Sequence, residues 1–194
     1  MNDIIGTIAS IKTADLLVFF ALFALLILGF MQGIIRRLLG IGSILLSLLI
    51  AGQLQGPVGD FLASNWQQYS SEYNHMIAFG AIFLAGSIAA AIATQLFFKP
   101  VPLFAQYPVI DEVVGAMLGL LQGALILAAF YIITDPFFNL GGQAQGNEFP
   151  FVRQLHDALQ GSVTADITRS RLVPFILLLF GGVFPETVRQ AFRS

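Results

Sequence analysis

Charge is absent from four long runs of the chain, and their lengths predict its architecture. Leu16–Ile35 holds twenty uncharged residues, fourteen of them Leu, Ile, Val or Phe. At roughly −0.3 to −0.6 kcal/mol each, those side chains favour bilayer insertion by about 4 to 8 kcal/mol. Arg36 and Arg37 interrupt the pattern, and Leu38–Gly59 then gives twenty-two further uncharged residues. Each run alone reaches the roughly 20 residues that cross a hydrocarbon layer of about 30 Å, so a tight helical hairpin is predicted, with Gly33 and Gly40 relaxing the turn. Gly56, Pro57 and Gly59 should break the second helix. The polar stretch after them, with Trp66, Tyr69 and Tyr73, reads as a non-cytoplasmic loop whose rings lie at headgroup level. A third run, about His75–Phe98, is rich in small residues and ends at Lys99, Pro100 and Pro102. A fourth lies within Val109–Pro136, with no charge from Val113 to Thr134.

Beyond Asp135 and Pro136 the pattern changes period. Phe151, Val152, Leu155, Ala158 and Leu159 share one predicted helical face, and Arg153, Gln154, His156 and Asp157 the other, as in an interfacial helix. The fourteen uncharged residues from Leu172 to Pro185 are too short for a full span at about 1.5 Å each, so a re-entrant or surface-buried segment is expected. The predicted fold is therefore an all-α integral membrane protein. Residues 1–136 form four transmembrane helices, about 16–35, 38–56, 75–98 and 113–134, and residues 137–194 form a non-cytoplasmic amphipathic tail with the apolar segment 172–185.

Within the spans, small and polar residues mark the packing. Gly115, Gly119 and Gly123 recur every four residues and stack on one helical face, where a neighbour can approach almost backbone to backbone. Asp15, beside Thr13, and Asp111, beside Glu112, stand at the starts of the first and fourth spans, where a carboxylate caps orphan amides and meets the positive end of the dipole. Lysines and arginines in short loops give three on the side of Arg36, Arg37 and Lys99, against Lys12 on the other face. The expected topology thus has both termini outside the cytoplasm.

Composition confirms the solvent and narrows the chemistry. The chain is 57% hydrophobic and 10% charged, with a mean hydropathy of +0.83, where soluble domains carry roughly 25% charge. A net charge of −2 without a basic block gives nucleic acid nothing to bind. There is no cysteine, and His75 and His156 lack partners at metal-ligand spacing, so no metal or other cofactor is expected. Ser162, His156 and Asp157 do not make a triad by adjacency, and Gly141–Gly142 lacks the strand and lysine of a phosphate loop. No catalytic residue is indicated, and an enzyme is not expected.

Four features in order resemble the colicin V production (CvpA-like) membrane proteins of bacteria. The first span opens with Ala14-Asp15-Leu16 and ends at Gly33-Ile34-Ile35-Arg36, a second follows directly, and the fourth opens with Asp111 before its glycines. Downstream, Ser170-Arg171-Leu172-Val173-Pro174 is similar to the family's Ser-x-Leu-x-Pro signature. The chain departs from the family pattern at Gln32 and Gln122, where a basic residue is usual before the glycine, and at Arg37, where an acid is usual. The departures expose an internal echo, Gly29-x-x-Gln32-Gly33 and Gly119-x-x-Gln122-Gly123, inverted if the two spans run in opposite directions. Interhelical hydrogen bonds from Gln32 and Gln122 near a shared axis are the expectation it raises. The resemblance implies an inner-membrane, non-enzymatic factor in toxin production or export and envelope homeostasis. Its expected surroundings are the lipid bilayer, further copies of itself, and a secretion or envelope protein. A small-solute channel or transporter subunit is the competing expectation. The residues singled out are Gly29, Gly33, Gly115, Gly119 and Gly123 for packing, and Gln32, Gln122, Asp15, Asp111, Arg36 and Ser170 as functional polar candidates.

Overall fold

A computed structural model describes residues 13–97, 108–140, 149–160, 162–182, 184 and 186–192. Residues 1–12, Lys99, Pro100 and Pro102, and Gly141–Gly142 lie outside these. Among the described residues every regular element is helical: α1 (Thr13–Asn65), α2 (Ser71–Phe97), α3 (Pro108–Asp135), α4 (Pro150–Leu159), α5 (Val163–Ile167), α6 (Val173–Phe180) and α7 (Glu186–Ala191). Two five-residue π-helical segments, Pro136–Leu140 and Thr168–Leu172, follow α3 and α5. Three helices, α1 to α3, are long and apolar enough to cross a membrane. Large apolar side chains such as Phe20, Met31, Leu96 and Met117 face outward, as they do where lipid is the solvent.

The 53 residues of α1 are two limbs joined at one residue. Gly33 has φ 71° and ψ −177°, a backbone that a side chain would strain, and it is the sole positive-φ residue described. The neighbours of each limb show that the chain reverses there. In the first limb Gly29, Leu25 and Leu22 meet Gly115, Gly119 and Gly123 in turn, so this limb runs antiparallel to α3. In the second, Gly40 meets Gln122, close along α3 to the turn that Leu25 touches. An unbroken helix would hold Leu25 and Gly40 roughly 22 Å apart at 1.5 Å per residue. The turn therefore rests on Gly33 alone, because Gly40 stays helical and serves instead to make room for Gln122. The second limb continues against α2, where Ser47 meets Gly86 and Gly59 meets His75.

Two expected boundaries move. The second limb passes through Gly56, Pro57 and Gly59 and ends at Asn65, where Ser64 and Asn65 side chains each donate to the Phe61 carbonyl at 2.8 Å. Proline removes one donor and clashes with one turn, which a helix packed on its neighbour tolerates. The polar loop is accordingly short. The Ser70 hydroxyl accepts from the Tyr73 N–H at 3.2 Å and caps α2, which begins at Ser71. Tyr73 is buried instead of lying in an interfacial loop, and its ring packs on Tyr69, Phe137 and Phe149.

The tail closes over the end of α3. In the Thr168–Leu172 segment the Val173 N–H bonds the Thr168 carbonyl, a π register. Pro174, next in line with no N–H to give, then starts α6 at a position where none is needed. Val173 and Ile176 of α6 are buried, and Phe175, Leu178 and Leu179 are exposed. In α4 the buried positions are His156 and Leu159, with Val152 half-buried, so the face predicted from apolar residues is rotated. Phe151, Leu155 and Ala158 look outward because His156 is drawn inward to Asp135.

Candidate functional site

Immediately after the reversal, Arg37 takes the face of the second limb that continues through Gly40, Ile44 and Ser47, at helical spacing towards the bundle. It is 4% exposed, and its Nη1 donates to Gln122 Oε1 at 2.7 Å. Gly40 makes this possible, since a Cβ there would lie 3.0 Å from Gln122 Nε2. Arg36, one step round the helix, is half-buried and lines the same cavity of about 100 Å³. Gln32, from the last turn before Gly33, and Ser87, Thr94 and Gln95, from α2, complete its polar wall. Arg37 Nε and Ser87 Oγ are buried there without a hydrogen-bond partner.

A second, larger cavity of about 500 Å³ opens at the other end of the same seam, lined by Gln53, Gln55, Glu72 and His75 with Phe79 and Ile133 at its apolar side. Between the two lie Leu48 and Phe83, both buried. The separation from Ser43 to Gly52 is about 14 Å of helix.

At the C-terminal end of α3 stands a polar cluster of another kind. Asp135 is 1% exposed and accepts from Arg169 twice, Nε to Oδ2 at 2.7 Å and Nη2 to Oδ1 at 2.6 Å. His156 Nε2 lies 3.0 Å from the same Oδ1, with its ring stacked on Phe138 at 4.4 Å, while the Arg169 guanidinium covers the Tyr131 ring. Beside it Thr164 donates its hydroxyl to Asp15 Oδ1 at 2.7 Å, tying the tail to the start of α1. The bidentate arginine and the histidine satisfy the carboxylate, so the cluster acts as a clasp.

The family description "Colicin V production protein" matches residues 14–181, and with it the hairpin, α3, the clasp and the helix beyond. The chain belongs to the colicin V production protein family. A relative, "Colicin V production protein homolog" of Haemophilus influenzae, is 27% identical over 115 residues, covering 59% of this chain and 68% of that protein. No solved structure matches the chain. Several long apolar helices in a colicin V production protein make this a multi-pass membrane protein.

The residues singled out from sequence fall into three places. Gly29, Gly33, Gly115, Gly119 and Gly123 form the seam between the first limb and α3, where a Cβ on Gly115 would sit 2.6 Å from the Gly29 carbonyl oxygen. Gln32, Arg36 and Gln122 line the arginine cavity. Asp111, buried against Gly33, and Asp15, bonded to Thr164, lie elsewhere, and Ser170 is exposed between Arg169 and Arg171. Of the two glutamines expected to bond between helices, Gln122 does so by accepting from Arg37, and Gln32 makes no hydrogen bond with a described residue. Arg37 and Gln122, two positions set apart in the sequence, thus meet across the bundle. The echo is also unequal, since Gly33 leaves the helix and Gly123 stays within it. The grouping of Asp135, His156 and Arg169 is not among the sequence expectations. The available signal was Asp135 itself, an acid at the negative end of a helix dipole that calls for a cation.

Proposed function

We propose that this protein is a non-enzymatic factor of the bacterial inner membrane that serves production or export of a colicin-like toxin and homeostasis of the envelope. It crosses the bilayer four times, with both termini on the non-cytoplasmic side. The observation that carries this reading is the reversal at Gly33, which turns the longest apolar helix into two limbs within a family defined by colicin V production. Two limbs plus α2 and α3 make an even number of crossings, and the arginines beside the vertex favour the cytoplasm for it. Lipid surrounds the bundle, and further copies or a secretion or envelope protein engage its outward faces. Deletion of the gene should lower toxin secretion and weaken the envelope against detergent, with both restored by the wild-type chain. Undiminished secretion and an intact envelope in the deletion strain would overturn the reading.

A second reading, a small-solute channel or transporter subunit, is favoured by the two cavities at opposite ends of one seam. Leu48 and Phe83 would then be the gate between them. Solute flux into liposomes holding the purified protein, raised by Phe83→Ala, supports this reading; no flux from either form rejects it.

A further inference from the structure

We propose that the cavity at the hairpin vertex binds the phosphate group of an anionic ligand, held by Arg36 and Arg37. This stands on the cavity alone and is independent of whether the protein conducts a solute or serves toxin export. Two arginines line one small space, and among the described residues no acidic residue shares it. Asp111, the acid at the vertex, packs on Gly33 outside the lining. Arg37 has a neutral partner, the Gln122 carbonyl oxygen, which takes one of its donors and none of its charge. Arg36 makes no hydrogen bond or ion pair with a described residue. A buried charge without a counter-ion is strongly unfavourable, so a site built this way calls for an anion.

The donor geometry narrows the anion. Arg37 Nε is buried without a partner, although its Nη1 is already engaged, which leaves the side of the guanidinium fork that phosphate oxygens take in pairs. Ser87 Oγ, equally buried and unpartnered, is a hydroxyl donor on the opposite wall from α2. Unpartnered donors at Arg37 Nε and Ser87 Oγ, with Arg36 in the same lining, suit a tetrahedral oxyanion better than a halide. The cavity of about 100 Å³ has room for that group but not for a large organic body. A phosphate can arrive as the headgroup of an anionic phospholipid, with its chains left outside along the bundle, or as a free phosphate.

Thermal melting of the full chain in nanodiscs distinguishes these sources. In phosphatidylcholine discs, inorganic phosphate is titrated against chloride at matched ionic strength; separately, phosphatidylglycerol replaces part of the phosphatidylcholine. A saturable rise in melting temperature with inorganic phosphate supports the proposal and assigns a free anion, and a rise with phosphatidylglycerol alone supports it and assigns the lipid. In either case Arg36→Gln should weaken binding roughly tenfold or more, since a charge-assisted bond is lost. Arg36→Gln is the primary variant because its side chain makes no hydrogen bond or ion pair with a described residue; Arg37→Gln and Ser87→Ala are added where they fold. No stabilisation of the wild-type chain by either probe, or stabilisation that Arg36→Gln leaves unchanged, overturns the proposal.

Discussion

At the scale of single residues, the seam between the first limb and α3 distinguishes glycines that look equivalent in sequence. A Cβ at Gly119 would strike the Leu25 carbonyl oxygen, which is backbone and cannot move without its helix. A Cβ at Gly123 would meet side-chain carbons of Leu22 and Leu25, which can change rotamer. Gly42 has open space around it. Gly119→Ala should therefore cost about 1–3 kcal/mol by overpacking, Gly123→Ala less, and Gly42→Ala should be neutral or stabilising by about 0.5–1 kcal/mol. Melting temperatures of the three variants in detergent check the order, and equal effects at Gly119 and Gly42 would contradict the close approach. The four-residue spacing made this face legible. What spacing could not show was the difference between backbone and side-chain neighbours, because that depends on the angle at which the partner helix arrives.

At the scale of elements, the long runs without charge were legible because lipid demands them, and the reversal was legible from Gly33 next to two arginines. Ends were not. Pro57 and its flanking glycines look like a stop, yet tertiary packing carries the helix through them to Asn65. Tyr73 looks like an interfacial ring until Phe137 and Phe149 arrive from 60 and more residues downstream to bury it. His156 belongs on the polar face by composition, and only Asp135, at the end of a different helix, turns it inward. The clasp is thus a contact between elements distant in sequence, with no local pattern to announce it. Asp135→Asn removes the charge that Arg169 and His156 face, and breaking a buried pair of this kind costs about 3–5 kcal/mol. The expected outcome is early proteolytic release of the tail, with the hairpin and α3 still protected. A tail as resistant in Asp135→Asn as in the wild type would show that the clasp does not hold it.

For the whole molecule, the two ends of the bundle differ in chemistry. One end carries the vertex, two arginines and the small polar cavity; the other carries the tail, the clasp and the larger cavity. Membership of the colicin V production protein family was legible from four short motifs in order, and the fold explains two of them directly: Gly33 makes the turn, and the α3 glycines receive the first limb. The cavity was only half legible, since Gln32 and Gln122 were visible as polar residues in apolar helices, while the places of Ser87 on α2 and of Arg37 against α3 depend on how the helices pack. On the proposed topology this cavity faces the cytoplasm and the tail faces away from it. Because the chain has no cysteine, single substitutions report position without background. Val109→Cys, exposed at the start of α3 beside the vertex, should react with a membrane-impermeant maleimide in inverted vesicles and not in intact spheroplasts, and Asp157→Cys, exposed on α4, should react in spheroplasts and not in inverted vesicles. Labelling of both from the same side would contradict the account.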